Sequence, residues 1–442
     1  MLSPETGYDH GVELSLLADR DDRERAERIR RSWDAYYGTS PDPLKVRKGE
    51  ANDNVRINYA RLVVDAGVAH LFGSDLQVNL PPEADAAQDA LNETIRINGG
   101  GLLWQKAGTS GAIGGTFYYR LMPQPVGPPR ITCVDPSSVD VEWEPSDYET
   151  VTAYVVTWLE ADGDTTATRR QRIERDGEAW IIVDQKGHDG GWTTIGEEAW
   201  PYPYAPMGHA QNLPSPHEVY GLSDLEPDVL RLCRSIDRTA SNINRILRLY
   251  AHPRTWGRMI GDALNMDANP GAIIRLEHPQ AELHNLEMQS DLSSSIDYYR
   301  RLVAALHETT RIPEVATGKL DSAGQLSSLA LRILYSPLIA KTESKRRTYG
   351  QAIQEMMRRA LDLQGFPDAL PQIVWPELVP TDPEMDRRTS LMDQQLGVSR
   401  DTILEQLGYD PALEAMQRQD EQAEANAAMN AGLTEQPPDF IG

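Results

Sequence analysis

The sequence predicts an α+β protein in which a mixed N-terminal region is followed by a series of long helices. Three observations predict this fold class. Helical spacing of apolar residues runs through residues 23–109, short β-rich runs occupy residues 116–184, and helical spacing returns over residues 225–363. The chain has 442 residues, 40% of them hydrophobic, which is enough for two or three folded domains.

Three helical segments are predicted before the β-rich region. Residues 23–37 form the first. Residues 55–72 form the second, which Gly73 closes, because a glycine just after the last periodic residue is a common helix terminator. Residues 84–109 form the third, with an interruption at the glycines of positions 99–101.

The middle of the chain predicts antiparallel strands separated by Pro, Gly and Asp turns. A stretch rich in aromatic residues, Gly and Pro follows, from Gly187 to Leu213, and it predicts an irregular loop or an addition to a sheet edge. The predicted strands are Thr116–Leu121, Arg130–Val134, Val139–Trp143, Val151–Leu159, Gln171–Arg175 and Trp180–Asp184.

A long one-faced helix is predicted after the strands. Its apolar residues recur at spacings of three and four: Leu225, Val229, Cys233, Ile236, Ala240, Ile243, Leu247 and Tyr250. At 100° per residue, five arginines fall on the opposite side: Arg231, Arg234, Arg238, Arg245 and Arg248. We call these five residues the basic stripe. Two interpretations remain open: a solvated face or salt bridges to a neighbouring subunit, and contact with the phosphates of a threaded DNA duplex.

A small α/β module is predicted next, with strand-like runs Arg254–Ile260, Ala272–His278 and Glu282–Met288. A second amphipathic helix follows, with apolar residues from Leu292 to Leu306 at spacings of four and three. The chain therefore runs along one helix, forms a tip, and returns along another helix. Both apolar faces are available to pack together or against other copies of the chain.

The segment after the second helix loses its periodicity. Residues 311–326 predict a loop that is long by the usual connection lengths, and long loops are commonly functional. A third helix is predicted over residues 327–363, and Pro337 inside it should produce a kink. The C-terminal part opens with a strand at Gln372–Trp375, continues through short helices, and ends in a tail that is expected to be disordered.

Composition and motifs exclude several classes of protein. The net charge of −24 disfavours tight DNA binding but is compatible with a channel wall along which DNA slides, or with simple acidic solubility. The two cysteines, Cys133 and Cys233, lack metal-ligand spacing, and no HExxH motif is present. No P-loop and no long apolar segment occur. The sequence therefore predicts no enzyme, no cofactor, no metal and no membrane contact.

The order of features resembles the portal proteins of tailed bacteriophages, specifically the SPP1-type portal family, over nearly the whole chain. Small motifs in family order carry the resemblance. They are Tyr36–Gly38, Asn58 with Val63–Asp65, Leu71–Gly73, Gly115–Tyr119, Val134–Pro136, Ile312–Pro313, Ser322–Gly324, Ser327–Leu331, Gly397–Ser399 and Leu404–Gly408. The sequence Ser-Ala-Gly-Gln-Leu-Ser departs from the tidier Ser-Gly motif of the family.

The resemblance implies a portal fold with named regions. These are a wing (1–223), a first stem helix (224–252), a clip (253–291), a second stem helix (292–310), a tunnel loop (311–326), a kinked helix (327–363) and a crown (364–442). We predict that the tunnel loop faces DNA through Thr317, Lys319, Asp321 and Gln325, because the loop is flanked by glycines and carries one cation. The alternatives are another phage head or neck subunit and, further from the observations, a nuclease with an acidic site.

The resemblance also implies the partners and the place of the protein. Family members form a ring, usually of twelve copies, at one capsid vertex, and double-stranded DNA passes through it without sequence specificity. Terminase, capsid and scaffold proteins and head-tail adaptor proteins are the expected partners. The protein is then expected in the virion as the head-tail connector, and in the host cytoplasm during assembly.

Overall fold

A computed structural model describes residues 20–49, 52–162, 165–188, 191–251, 255–258, 279–285, 292–317 and 328–378, and single positions at 392, 395, 399, 402 and 416. The chain divides into two compact units, Met1–Pro376 and Glu377–Gly442. All helices and strands below belong to the first unit. The short helices predicted after residue 378 lie outside the described residues.

Two helices open the fold, α1 (Arg20–Tyr37) and α2 (Tyr59–Phe72). The helix predicted from Val55 begins four residues later. The reason is a side-chain cap: the Asn58 amide oxygen accepts a hydrogen bond from the Arg61 N–H at 2.9 Å and satisfies a free donor of the first turn. The apolar residues at 55 and 57 therefore belong to an irregular segment that precedes α2.

Helices α3 (Asp85–Ile97) and α4 (Gly101–Gly114) follow a short strand, β1 (Gln77–Asn79). The predicted interruption between them is confirmed. Gly99 and Gly100 both adopt positive φ, +97° and +56°, a backbone conformation that favours glycine.

The glycine-rich part of α4 lets this helix approach its neighbours closely. A Cβ at Gly111 would lie only 1.9 Å from the Tyr349 hydroxyl, and a Cβ at Gly108 would lie 2.9 Å from the Phe72 ring. The sequence favours close packing over a phosphate-binding loop in this run, and the contacts confirm it.

Eight of the described strands form two antiparallel sheets. Strands β2 (Thr116–Met122), β3 (Arg130–Val134) and β9 (Met207–Gln211) form a three-stranded sheet in the order β3-β2-β9. A five-stranded sheet in sequential order contains β4 (Val139–Glu144), β5 (Asp147–Asp162), β6 (Thr165–Asp176), β7 (Ala179–His188) and β8 (Gly191–Trp200). All six predicted strands are present.

The irregular loop predicted for Gly187–Leu213 is wrong, and its alternative, an addition to a sheet edge, is confirmed. Strand β8 is the edge of the five-stranded sheet, and β9 is an edge of the three-stranded sheet. The aromatic residues serve the core: Trp200 is buried against Trp180, its antiparallel partner in β7. Cross-strand aromatic pairs of this kind stabilise a sheet in spite of neighbouring Gly and Pro.

Long helices dominate the rest of the fold. They are α5 (Pro227–Ala251), α6 (Leu292–Thr310) and α7 (Ser328–Asp362), with Pro337 inside α7 as predicted. Strands β10 (Thr255–Arg258) and β11 (Glu282–Asn285) pair between α5 and α6, and β12 (Gln372–Val374) pairs with β1. The strand predicted at Ala272–His278 lies outside the described residues. None of the described helices is long and apolar enough to cross a membrane.

The described structure has three hydrophobic clusters. One joins α3, α4 and the C-terminal half of α7 to the three-stranded sheet. The second joins α2, α5 and α6, and the third lies under the five-stranded sheet. The second cluster determines how the two long helices that flank β10 and β11 are held.

Candidate functional site

The pair of helices α5 and α6 is the first part of the candidate site. The N-terminal half of the predicted apolar face of α5 is buried at Val229, Cys233 and Ile236, where it packs in one cluster with Val303 and Leu306 of α6. The predicted face therefore attaches the helix pair to the body of the protein through α2. Burial of such side chains stabilises by about 1.5–3 kcal/mol each.

The far half of the same helix pair is open. Leu247 on α5 is 51% exposed, and Ile296 and Tyr298 on α6 are 39% and 55% exposed. Leu247 continues the α5 periodicity that buries Val229 and Ile236, so the apolar face extends beyond the body of the protein. Within one chain, the described residues leave this end of the pair uncovered.

A segment before α2 is bound along the side of α5. The Val55 N–H donates to the Ser241 hydroxyl and the Ile57 N–H donates to the Asp237 carboxylate, both at 2.9 Å. This explains why residues 53–57 are not helical: their backbone donors are satisfied by side chains of α5.

Asp53 clamps the far part of the basic stripe. Its buried carboxylate accepts hydrogen bonds from Arg248 at 2.6 and 2.7 Å and from Arg245 at 3.3 Å. The hydrogen bond from Arg248 is the main cause that lowers the pKa of Asp53. Two of the five arginines are thus bound within the chain, a possibility that periodicity alone does not show.

The other three arginines of the stripe have a different environment. Arg231, Arg234 and Arg238 are exposed. Among the described residues, no carboxylate lies within ion-pair distance of any of them. The stripe therefore consists of a bound pair near the far end of α5 and three available guanidinium groups nearer its start.

The start of the predicted tunnel loop is described, and most of its predicted DNA-facing residues are not. After α6 the chain passes through the buried Ile312 and a 3-10 turn, Glu314–Thr317. Thr317 is the last residue of this turn. Lys319, Asp321 and Gln325 lie outside the described residues.

A buried charge cluster lies where α5, α6 and α7 meet, and sequence reasoning missed it. Asp224, just before α5, is 3.0 Å or less from two ammonium groups: Lys341 at 2.9 Å, and Lys345 in a still shorter contact. Lys341 also donates to the carbonyl of Thr310, the last residue of α6, at 3.0 Å. One lysine thereby caps the helix that leads into the tunnel loop, where a cation also interacts favourably with the helix dipole.

The cluster is electrostatically unusual because two cations share one anion. Burial opposes ionisation of Asp224, but the two ammonium groups outweigh it and lower the pKa of the carboxyl to about 2. Burial lowers the pKa of Lys345 to about 8, against the attraction of Asp224. The i, i+4 spacing of the lysines is the only signal in the sequence, and it does not distinguish a buried pair from a solvated one.

Metal and nucleophile chemistry find no support in the described part of the chain. No group of three His, Cys, Asp or Glu side chains is placed to hold a metal there. Both cysteines are free, and burial raises the pKa of Cys133 to about 11 and that of Cys233 to about 12, which disfavours a reactive thiolate.

The sequence profile of one family matches residues 231–428: "Phage portal protein, SPP1 Gp6-like". The matched range contains most of α5, strands β10 and β11, and all of α6 and α7. This part of the chain is therefore similar in sequence to the SPP1-type phage portal family, and the match supports the resemblance inferred from the motifs. The motifs before residue 231 lie outside the matched range.

Solved structures resemble this chain at low sequence identity. A chain in the neck of an empty GTA particle, computed with C6 symmetry, has 13% identity and a TM-score of 0.51, over 80% of this chain and 90% of that chain. Chains in the neck of a native GTA particle computed with C12 symmetry and in the virion of a native gene transfer agent particle have TM-scores of 0.49 and 0.47. Both are 13% identical, over 80% and 89% of this chain and 90% and 95% of theirs. No curated protein matches in sequence.

Proposed function

We propose that this chain is a phage portal protein, that it forms a closed ring at one capsid vertex, and that double-stranded DNA passes through the ring during packaging and ejection. The observation that carries the proposal is the succession of α5, the paired strands β10 and β11, α6 and the Pro-containing α7, which lies within the range that matches the portal family except for the first turn of α5. A chain of similar fold occurs in a particle neck computed with C6 symmetry, which is a symmetric assembly.

The regions of the portal then have separate roles. Residues 1–223 are the wing, the helices of 224–252 and 292–310 are the stem, and 253–291 are the clip on which terminase docks. The exposed apolar side chains at the far end of the stem, Leu247, Ile296 and Tyr298, favour packing between neighbouring subunits, since such a surface is otherwise left in water. Adaptor proteins replace terminase after packaging, and the crown, 364–442, faces the capsid interior.

The tunnel loop of 311–326 is the element proposed to face DNA. Thr317, Lys319, Asp321 and Gln325 supply polar groups and one cation, and the net charge of −24 keeps the wall from adhering to the duplex. Lys341 of α7 donates to the carbonyl of Thr310, the residue immediately before this loop, and so holds the end of α6 from which the loop departs.

Electron microscopy of the purified full-length chain tests the ring. A closed ring with a central hole wide enough for a B-form duplex, about 20 Å across, supports the proposal. Particles that remain monomeric under packaging conditions, in the presence of capsid and scaffold proteins, contradict it.

A packaging assay tests the loop separately. Lys319→Glu should reduce the amount of DNA packaged per particle while leaving the ring intact. Lys106→Glu, an exposed charge on α4 far along the chain from the loop, is the matched control. If both variants and the parent package equal amounts of DNA, the proposed role of the loop in facing DNA is wrong, and the proposed ring is unaffected.

A further inference from the structure

A recess between the C-terminal end of α1 and the first half of α5 is the feature that the proposed function does not use. It has a volume of about 360 Å³. Four arginines line it, and we call it the arginine recess: Arg31, Arg56, Arg234 and Arg238. Its apolar lining includes Ala35, Tyr59, Leu230 and Cys233.

Two of the four arginines already have partners. The Arg56 guanidinium donates to the Asp42 carboxylate at 2.7 Å and to the Gly38 carbonyl at 2.5 Å. Arg31 donates to Glu27, one turn earlier in α1, at 3.0 Å. These contacts fix the walls of the recess and leave little capacity for a ligand.

Arg234 and Arg238 are the available cations of the recess. They are one turn apart on α5, both exposed, and neither has an ion-pair partner among the described residues. The acidic side chain nearest to them along α5, Asp237, also lines the recess, and its carboxylate accepts a hydrogen bond from the Ile57 N–H. Because Arg31 and Arg56 are paired with Glu27 and Asp42, the two cations Arg234 and Arg238 against the one anion Asp237 leave the recess with an excess positive charge in a protein whose net charge is −24.

We propose that the arginine recess receives a carboxylate-bearing segment of a second copy of this chain. Guanidinium groups bind carboxylates through paired, planar hydrogen bonds. Two guanidinium groups one turn apart suit an acidic side chain whose apolar neighbour packs against the apolar lining of the recess. The chain supplies such partners in excess, with 67 acidic residues against 43 basic ones. A ring also brings two different faces of neighbouring copies together, as this pairing requires.

DNA is the less suitable occupant. Phosphate contacts on a duplex are made by extended rows of cations on an open surface, whereas the recess sets its two available cations beside an apolar lining. Arg231 provides the comparison: it lies on the same side of α5, is also exposed, and does not line the recess. A phosphate-binding stripe would use Arg231 as well, while a recess for a carboxylate would not.

The first test compares charge reversals at these positions by analytical ultracentrifugation of the full-length protein. The proposal rests on the ring of the proposed function, so the parent chain is measured first. Arg234→Glu with Arg238→Glu should raise the concentration needed for ring assembly roughly tenfold or more, and Arg231→Glu should leave it unchanged. Equal effects at all three positions would overturn the proposal, and so would normal rings from the double variant. Unchanged melting of the monomeric variants verifies that they fold.

A second test detects the contact itself. In Arg234→Lys and Arg238→Lys rings, a zero-length carbodiimide should couple the new amine to a carboxylate of the neighbouring copy, and mass spectrometry identifies that carboxylate. Arg231→Lys should give no such product. An intact ring without coupling at 234 or 238 refutes the proposed contact at the arginine recess but not the proposed ring. A parent chain that forms no ring refutes the proposed function itself. Normal rings that lose only DNA packaging would assign the arginines to DNA and overturn the proposal.

Discussion

The buried cluster of Asp224, Lys341 and Lys345 allows a quantitative prediction about charge balance in the body of the protein. Side-chain exposures of 1% for Asp224, 8% for Lys341 and 4% for Lys345 mean that solvent does not screen the group. Removing the only anion of a buried ion pair leaves an uncompensated charge, which typically costs about 3–5 kcal/mol. Asp224→Asn leaves two such charges, and we expect a loss of stability at or above that range.

The matched variant removes one cation and keeps a balanced pair. Lys345→Met leaves Asp224 paired with Lys341, so no buried charge is left uncompensated, and methionine fills most of the volume of the lysine side chain. We therefore expect a change within about 1 kcal/mol. In the double variant Asp224→Asn/Lys345→Met only one buried ammonium remains, so it should recover roughly 1–3 kcal/mol relative to Asp224→Asn alone.

Guanidinium chloride unfolding of the full-length chain, followed by tryptophan fluorescence, measures these differences at pH 7. Lys106→Met, at an exposed position, is the control and should stay within about 0.5 kcal/mol of the parent. The reasoning is refuted if the effects of the two single substitutions add in the double variant, because additivity means that the charges do not interact. It is also refuted if Lys345→Met destabilises as much as Asp224→Asn.

Three further changes test other parts of the fold. Gly111→Ala places a methyl group against the Tyr349 hydroxyl and should destabilise by about 1–3 kcal/mol in the same unfolding assay, with partial recovery on adding Tyr349→Phe. Burial lowers the pKa of His209 to about 4, so the unfolded chain binds more protons than the folded chain between pH 6.5 and 4. The free energy of unfolding should therefore fall by about 1.4 kcal/mol per pH unit as the pH is lowered through that range. His209→Gln should make the free energy of unfolding less dependent on pH there. Arg248→Ala removes two hydrogen bonds to the buried Asp53 carboxylate and should increase amide hydrogen exchange of residues 53–57. Unchanged exchange would show that the contact between Arg248 and Asp53 does not hold this segment.

The helices of the proposed stem could be predicted from the sequence because one periodicity describes them from end to end. The residues between Leu225 and Leu247 repeat at three and four, and the observed α5 differs from the predicted span by only a residue or two. Helix α7 was predicted over residues 327–363 and spans Ser328–Asp362, while the kink expected at Pro337 stays a prediction. Amphipathic periodicity is a local property, so it survives without knowledge of what the helix packs against.

Strands β8 and β9 show where local reasoning fails. Their sequences contain Gly and end near Pro, which locally favour turns, and only the pairing of Trp200 with Trp180 and of β9 with β2 makes them strands. The start of α2 was misplaced for a related reason. The donors of residues 55 and 57 find partners on α5 that are 186 and 180 positions away, which removes the advantage of extending the helix.

In the candidate site, the sequence predicted which side chains share a helix face but not which side chains they bind. Asp53 and Arg248 are 195 residues apart, and Asp224 and Lys345 are 121 apart. Nothing in their local sequence indicates that they meet. Spacing on a helix establishes which side chains share a face, while the fold determines which of them are already neutralised.

That distinction changes what the basic stripe means. Five arginines on one face of a helix in an acidic protein suggest a single surface with one ligand, yet the fold assigns them to different tasks. Arg245 and Arg248 hold the segment before α2 to the stem, so their loss should appear as local opening rather than as a change in binding. Arg234 and Arg238 remain available beside an apolar floor and favour a carboxylate, while Arg231 faces solvent alone. Substitutions along one helix face should therefore give three separable results, and a uniform response along the stripe would restore the single DNA-binding surface as the better explanation.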